Sequence, residues 1–504
     1  VKLFAFLIIS LFLIPLEAQN LSVKGIDNMI EELELDKAGQ LIERLKAEND
    51  EVSYLKGKLA FFRGNYIDAN NYFSQLQTKD SVATCAINAY EMISRYRKLE
   101  TPHFIIYYPD EKGEIYLEYL TEGLENGLKI LAPIFGFEVK EKIRVEILSD
   151  QRDLSRLTTL PVEAIERTNT IAISKFNKIM LSSPETQLEG YDYVNTAVHE
   201  MIHHMISTVT QERTPVWIHE ALARYFDHYK PDRLPTMRPD ILALLKKRYE
   251  NKSLITFEQI HPSMALLPSQ EDTSVAFAEV FLVSEFLYNK YGPKFVKQIL
   301  QMLKDKNDMD EIFKSFGFGS FERFQKEFFR YLARRTEKTA ISEHLYYERT
   351  SKKGKKSEYL GDAFAMKYVK LGDLLFLENL FSAAYSEYDK ASKIGVINPH
   401  IENRKAFALI NAGRFSEASS ILEHIVEIYP DYYSTFMNLA RSYMGQKNFL
   451  KTLEALERAV RINPFDKEIY LMYLNIFQEQ KNQYEIDKTK KKLEILNKKR
   501  DRFP

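Results

Sequence analysis

The feature that most restricts this chain is a spacing of 34 residues near its C-terminal end. Ala384, Tyr388 and Ala391 recur as Ala418, Leu422 and Ile425, and again as Thr452, Leu456 and Ala459, while Pro430 and Pro464 close successive units at the same interval. Apolar positions at i, i+4 and i+7 share one face of a helix. A unit of this length is a helical hairpin, which buries its apolar face only against a neighbouring hairpin. Residues 358–504 are therefore expected to form an all-helical stack. Gly57, Ala60, Gly64, Ala69, Phe73 and Leu76 repeat the small–large pattern once more within residues 19–99.

Both ends resemble tetratricopeptide (TPR) repeats, which implies surfaces suited to a protein partner. A basic, glycine-containing stretch, Ser351 to Lys356, reads as the linker (residues 336–357) ahead of the second array. The lysine-rich end, Lys488 to Arg500, reads as a solvated capping helix rather than a binding patch.

The texture between the arrays is different. His103 to Tyr108 and Ile143 to Leu148 are β-rich, and Thr170 to Ser174 and Lys178 to Ser182 flank a turn at Phe176 and Asn177, so these runs can make one small sheet. An amphipathic helix is expected next, from about Tyr191 to Val209. It carries Val194, Ala197, Val198, Met201, Ile202, Met205 and Ile206 on its core face.

The composition narrows the function classes. Seventy Lys and Arg against 71 Asp and Glu leave a net charge of -1, so no broad field draws the chain to nucleic acid. The single cysteine, Cys85, excludes an intramolecular disulfide framework and sits among apolar helical residues as a small core residue. Lys2, the apolar run Leu3 to Leu16, and Glu17-Ala18-Gln19 read as an export signal cleaved near Ala18 (residues 1–18). The expectation is a periplasmic or secreted protein, with an uncleaved N-terminal anchor as the alternative. No later run has the length of a membrane span.

The helix stripe opposite the core face carries Thr196, His199, Glu200, His203 and Ser207. His199 and His203, one turn apart, can aim two imidazoles at one ion, and Glu200, about 100° round the helix, can reach a water on it. Zinc suits neutral imidazole and carboxylate ligands and needs a third protein ligand if one position is kept for water. Glu220 is the candidate. It lies in a second amphipathic segment after Pro215, where Ile218, Ala221, Leu222 and Tyr225 are buried and Glu220, Ala223, Arg224 and Asp227 face the other way. Five of the ten histidines fall between His199 and His228, a clustering that a solvated helix face does not explain.

His199-Glu200-Met201-Ile202-His203, then sixteen residues, then Glu220 within Trp-Ile-His-Glu-Ala-Leu-Ala-Arg-Tyr, resembles the gluzincin metallopeptidases of the thermolysin-like peptidase MA group. The resemblance spans roughly Thr101 to Arg335 and implies an α+β zincin domain (residues 100–335) with a small β-sheet; the TPR-like helical hairpins that flank it at both ends are not part of that fold. It also implies one Zn2+ held by His199, His203 and Glu220, with Glu200 as general base in the hydrolysis of peptide bonds by a zinc-bound water. The substrate would be a peptide or protein. Two residues depart from the family pattern: His219 replaces a small or polar residue, and Phe277 stands where a tyrosine is expected, which leaves the oxyanion-stabilising group open.

Other residues have plainer readings beside the functional ones. His204 and His219 lie about 100° from proposed ligands and read as rim or outer residues. Asn195 reads equally as a partner of His199 or as a surface residue. Tyr288, Tyr291 and His261 are candidate electrophiles, although aromatic residues there more often pack a core. An exported TPR scaffold with an inactive middle domain and a structural zinc site remains the alternative; a purely structural zinc would need a fourth ligand, such as His219.

Overall fold

Alternating apolar residues build the strands first. In the computed structural model, β1 (Arg97–Glu100), β2 (Phe104–Tyr108), β3 (Ile143–Leu148), β4 (Ala172–Lys175) and β5 (Lys178–Ser182) form one five-stranded sheet in the order β1-β2-β3-β5-β4. The β2–β3 and β3–β5 pairs are parallel, whereas β1–β2 and β4–β5 are antiparallel. Phe176 and Asn177 make the tight β4–β5 turn at φ 56° and 60°, the left-handed pair that a two-residue hairpin needs. β1, rich in charge and mostly exposed, carries no apolar alternation and escaped the sequence reading.

The structure describes residues 22–45, 49–187, 190–232, 234–306, 308–337, 348–349, 358–359, 363–394 and 397–498. The expected export signal and most of the expected linker lie outside them. Among the described residues no helix is long and apolar enough to cross a membrane.

One helix packs on β4 and β5 of the sheet, α2 (Tyr193–Thr210), and two others pack on α2, α1 (Leu117–Phe135) and α3 (Val216–Phe226). α4 (Gln270–Tyr291) packs behind α3. The expected core face of α2, Val194 through Ile206, is buried throughout, each larger aliphatic contributing about 1.5–3 kcal/mol. Two glycines allow α1 to come this close. A Cβ on Gly123 would lie 2.2 Å from Val194 Cγ1, and one on Gly127 3.1 Å from Val198 Cγ2.

The N-terminal helices cover the other face of the sheet. Phe61, Phe62, Tyr66, Phe73 and the free thiol of Cys85 share one apolar cluster with Leu148, Phe176 and Met180 of the strand region. A buried polar group joins the two layers: Tyr66 donates to Glu146, Lys178 Nζ donates to Tyr66 Oη at 2.8 Å, and Arg144 Nε donates to Glu146 at 2.6 Å. Burial, opposed by Glu146, pushes the Lys178 ammonium down to about 7.

The C-terminal stack is made of paired helices, Ala363–Leu377 with Phe381–Ser392, Pro399–Asn411 with Phe415–Ile428, Tyr433–Gly445 with Phe449–Val460, and Lys467–Glu479 with α5 (Gln483–Asn497). The repeating residues from Ala384 to Ala459 are all buried at its hairpin contacts. The stack is seated on α1 and its approach. Tyr116 meets Phe465 edge-on at 5.9 Å. Lys488 reaches Glu118 at 2.6 Å, Lys498 reaches Glu111 at 2.9 Å, and Arg461 reaches Glu122 at 3.3 Å. The lysine-rich end is thus spent on a patch of its own chain rather than on solvent alone. Just before α2, the Tyr191 N–H donates to the Ile462 carbonyl at 2.9 Å. Gly190, at φ +73°, lies so near that a Cβ would sit 2.2 Å from the same oxygen.

Candidate functional site

α2 starts where the Asp192 side chain accepts from the Asn195 backbone N–H and stops at Gln211 in the left-handed conformation, φ 55°. Between these caps His199 and His203 stand one turn apart, with their Nε2 atoms 3.1 Å from each other. Pro215 opens α3, whose buried stripe of Trp217, Ile218, Ala221, Leu222 and Tyr225 turns Glu220 toward the histidines. Glu220 Oε2 lies 3.6 Å from His199 Nε2 and 3.6 Å from His203 Nε2. The three proposed ligands therefore converge.

Ligands about 2.0–2.1 Å from a tetrahedral zinc stand about 3.4 Å apart, and edges of 3.1, 3.6 and 3.6 Å bracket that value. Glu220 Oε2 is buried without a hydrogen-bond donor, a costly condition unless a cation answers it. The donor set thus fits zinc. The His199, His203 and Glu220 side chains keep 12%, 14% and 17% of their surface open, so solvent reaches the site.

The far nitrogen of each imidazole is also engaged. His199 Nδ1 lies 3.1 Å from Asp227 Oδ2, and His203 Nδ1 lies 3.3 Å from His219 Nδ1. Such contacts fix ring orientation and tautomer and leave Nε2 for a metal. The sequence put Asp227 on the right face of α3 but gave it no role; its signal is its place two turns beyond Glu220. His219 faces the side of His203 away from the other donors, which disfavours it as a fourth ligand.

Glu200, His199 and His203 each offer one ligand atom within 4.8 Å of the others. The Ser174 backbone N–H of β4 lies on the side of the Glu200 carboxylate and favours the charged form. Burial raises its pKa against the pull of His203 and His199, as befits a proton acceptor. Burial also works to raise Glu220, but the facing histidines outweigh it and hold that carboxyl well below the usual range. Burial opposes charge on His199, yet Asp227 and Glu220 lift it to about 9. Carboxylates thus face both nitrogens of His199.

The remaining candidates fall outside the triangle. His204 is buried beside the Phe137 ring, and burial pushes it down to about 4. Asn195 bonds Asp192 at 2.6 Å and His228 at 3.1 Å and is not bonded to His199. Tyr288 pairs with Tyr229, Tyr291 donates to the Phe316 carbonyl, and His261 is exposed. Phe277 lies under Arg224, whose guanidinium is 4.5 Å from the ring centroid.

The class defined so far is a helical-hairpin protein with a mixed-sheet domain and a two-helix His/Glu centre. No family model matches the chain. The uncharacterized protein YhcO of Bacillus subtilis (strain 168) is 21% identical over 250 residues, covering 47% of this chain and 72% of that protein. Among solved structures, the MamA RS-1 ArsTM double mutant is 17% identical at a TM-score of 0.26, covering 39% of this chain and 99% of its own. The APC/C hetero-tetramer Cut9–Hcn1 is 12% identical at 0.27, covering 97% and 96%. Likeness at these TM-scores carries no argument about fold or function.

Proposed function

We propose that the middle domain is a zinc-dependent peptide hydrolase of gluzincin type, with His199, His203 and Glu220 as metal ligands and Glu200 as general base. The carrying observation is the donor triangle with its orphaned Glu220 oxygen. A bound zinc ion supplies polarisation of the scissile carbonyl and acidification of water to a pKa of about 7. Glu200 takes a proton from the attacking water and returns it to the leaving amine. Asp227 and His219 hold the two histidine rings. β4 is the terminal strand of the sheet and packs against α2, so an extended peptide adding to that edge would lie along the site. Export of the chain is part of this proposal and rests on residues 1–18 alone.

A second reading is a TPR scaffold whose middle domain cleaves nothing and whose metal site is structural. The stacked helical hairpins are direct architecture, whereas hydrolysis is inferred from geometry, so the repeat-scaffold role has the more immediate support. Such stacks offer extended surfaces to partner segments. Comparing the zinc-loaded protein with Glu200→Gln separates the two. The hydrolase reading expects equal zinc content and a loss of peptide cleavage of about 10²–10⁴-fold. Equal inertness of both proteins toward a broad peptide pool would leave the scaffold.

A further inference from the structure

Three polar residues fall on one stripe of α3 and its C-terminal cap: Glu220, Arg224 and Asp227. Arg224 lies about 40° round the helix from Glu220 and falls between the two acids along the axis. Those acids approach the two nitrogens of one ring, since Glu220 Oε2 is 3.6 Å from His199 Nε2 and Asp227 Oδ2 is 3.1 Å from His199 Nδ1. Arg224 reaches His199 only through Asp227, whose Oδ2 lies between the guanidinium and His199 Nδ1, so it stands beyond the outer edge of that ring. Its side chain keeps 44% of its surface open, and its nearest carboxylate oxygen, Asp227 Oδ2, is 3.7 Å away and already engaged with His199. No hydrogen bond to the guanidinium is found among the described residues.

What holds this side chain is Phe277 of α4, beneath the guanidinium at 4.5 Å. Stacking on an aromatic face restricts the side chain in advance and leaves the N–H edges of the planar fork pointing outward. That geometry suits a carboxylate, which such a fork meets with two parallel hydrogen bonds. The surroundings add a reason. Glu200, Glu220 and Asp227 outweigh the charge of a bound zinc ion by one, so a substrate carboxylate near the scissile bond gains from a cation that receives it. Phe277, which departs from the expected tyrosine, then serves as the platform for that cation.

Resting on the hydrolase reading, we propose that Arg224, seated on Phe277, is a specificity residue that binds a carboxylate of the peptide substrate next to the bond being cut. The carboxylate has two sources, the α-carboxylate of a chain end or the side chain of Asp or Glu, and these predict different products. A chain-end carboxylate makes the protein a carboxypeptidase. An acidic side chain makes it an endopeptidase with an acidic subsite.

Quenched fluorescent peptides made in pairs, C-terminal acid against amide and Glu against Gln beside the bond, test this on the zinc-loaded full chain. The wild type is expected to favour the carboxylate member of one pair by about 30-fold or more in kcat/KM. Arg224→Gln should bring that ratio to about one, and Arg224→Lys should restore part of it, because lysine keeps the charge without the fork. The pair that responds identifies the source. A second readout needs no turnover: Glu200→Gln should bind the carboxylate peptide more tightly than its amide partner in a fluorescence anisotropy titration, and adding Arg224→Gln should erase the difference. A purely structural role for Arg224 would lower all rates together and leave the ratios alone, which overturns the proposal, as does a wild type indifferent to both pairs. A wild type that cleaves no peptide while Glu200→Gln binds none takes down the hydrolase reading as well.

Discussion

Glu279 on α4 is a carboxyl group with almost no water. It is 1% exposed and accepts the Ile255 backbone N–H at 2.8 Å. Burial pushes its pKa up from 4.5 to about 8, against the backbone bond and the attraction of Arg248. Above 4.5 the unfolded chain releases this proton while the native protein keeps it until about 8. The native state binds more protons in that window, so stability falls as pH rises through it. At about 1.4 kcal/mol per pKa unit, the full effect is about 5 kcal/mol. Glu279→Gln keeps a carbonyl for Ile255 and cannot ionise. The variant should match the wild type within about 1 kcal/mol near pH 5 and exceed it by up to about 5 kcal/mol near pH 9. Urea unfolding can be followed through Trp217, the sole tryptophan, which is buried and stacked 4.4 Å from Phe257, two residues beyond Ile255. Parallel stability curves across this pH range, or a variant less stable at the alkaline end, would refute a neutral buried carboxyl.

Asp227→Asn and His219→Leu should each weaken zinc binding about 10- to 100-fold in a chelator competition, with far larger losses for His199→Ala, His203→Ala or Glu220→Ala. Unchanged affinity in both outer variants would remove their positioning roles. Glu118→Lys places a cation against Lys488 and Lys492, which lie 2.6 and 3.3 Å from the native carboxylate. At these part-exposed positions the seat of the stack should weaken by about 1–2 kcal/mol, seen as faster hydrogen exchange at the start of α1. Identical exchange would assign the seating to Tyr116, Phe465 and their apolar neighbours alone.

The convergence of His199, His203 and Glu220 was readable because it depends on helical periodicity. His199, Glu200 and His203 are local to one helix, and Glu220 belongs to a second helix announced by Pro215, so face assignments brought these side chains together. Phe176 and Asn177 gave away their turn for a similar reason, since only a short connection fits between two β-rich runs. Asp227 and His219 were harder. Each acts through the far side of an imidazole, and which side faces inward is set by packing across helices. β1 has no apolar alternation, and it is a strand because β2 offers it an edge. The lysines of α5 show the limit most clearly: a solvated face and a docking face share one sequence pattern, and the difference lies in Glu111, Glu114 and Glu118, more than three hundred residues earlier in the chain.

The touch between Gly190 and Ile462 bears on how such a molecule can be recombined. The peptide that leads into α2 meets the backbone of the helical stack with no side chain between them, and the next N–H is shared with the same carbonyl. An exchanged stack would have to reproduce the path of that one carbonyl, and any residue larger than glycine at 190 would wedge the two parts open where α2 begins. Repeat arrays are usually treated as interchangeable attachments. Here the stack and the entrance to α2 are one unit of inheritance, and chimaeras cut between them should fail at α2 before they fail at any partner surface.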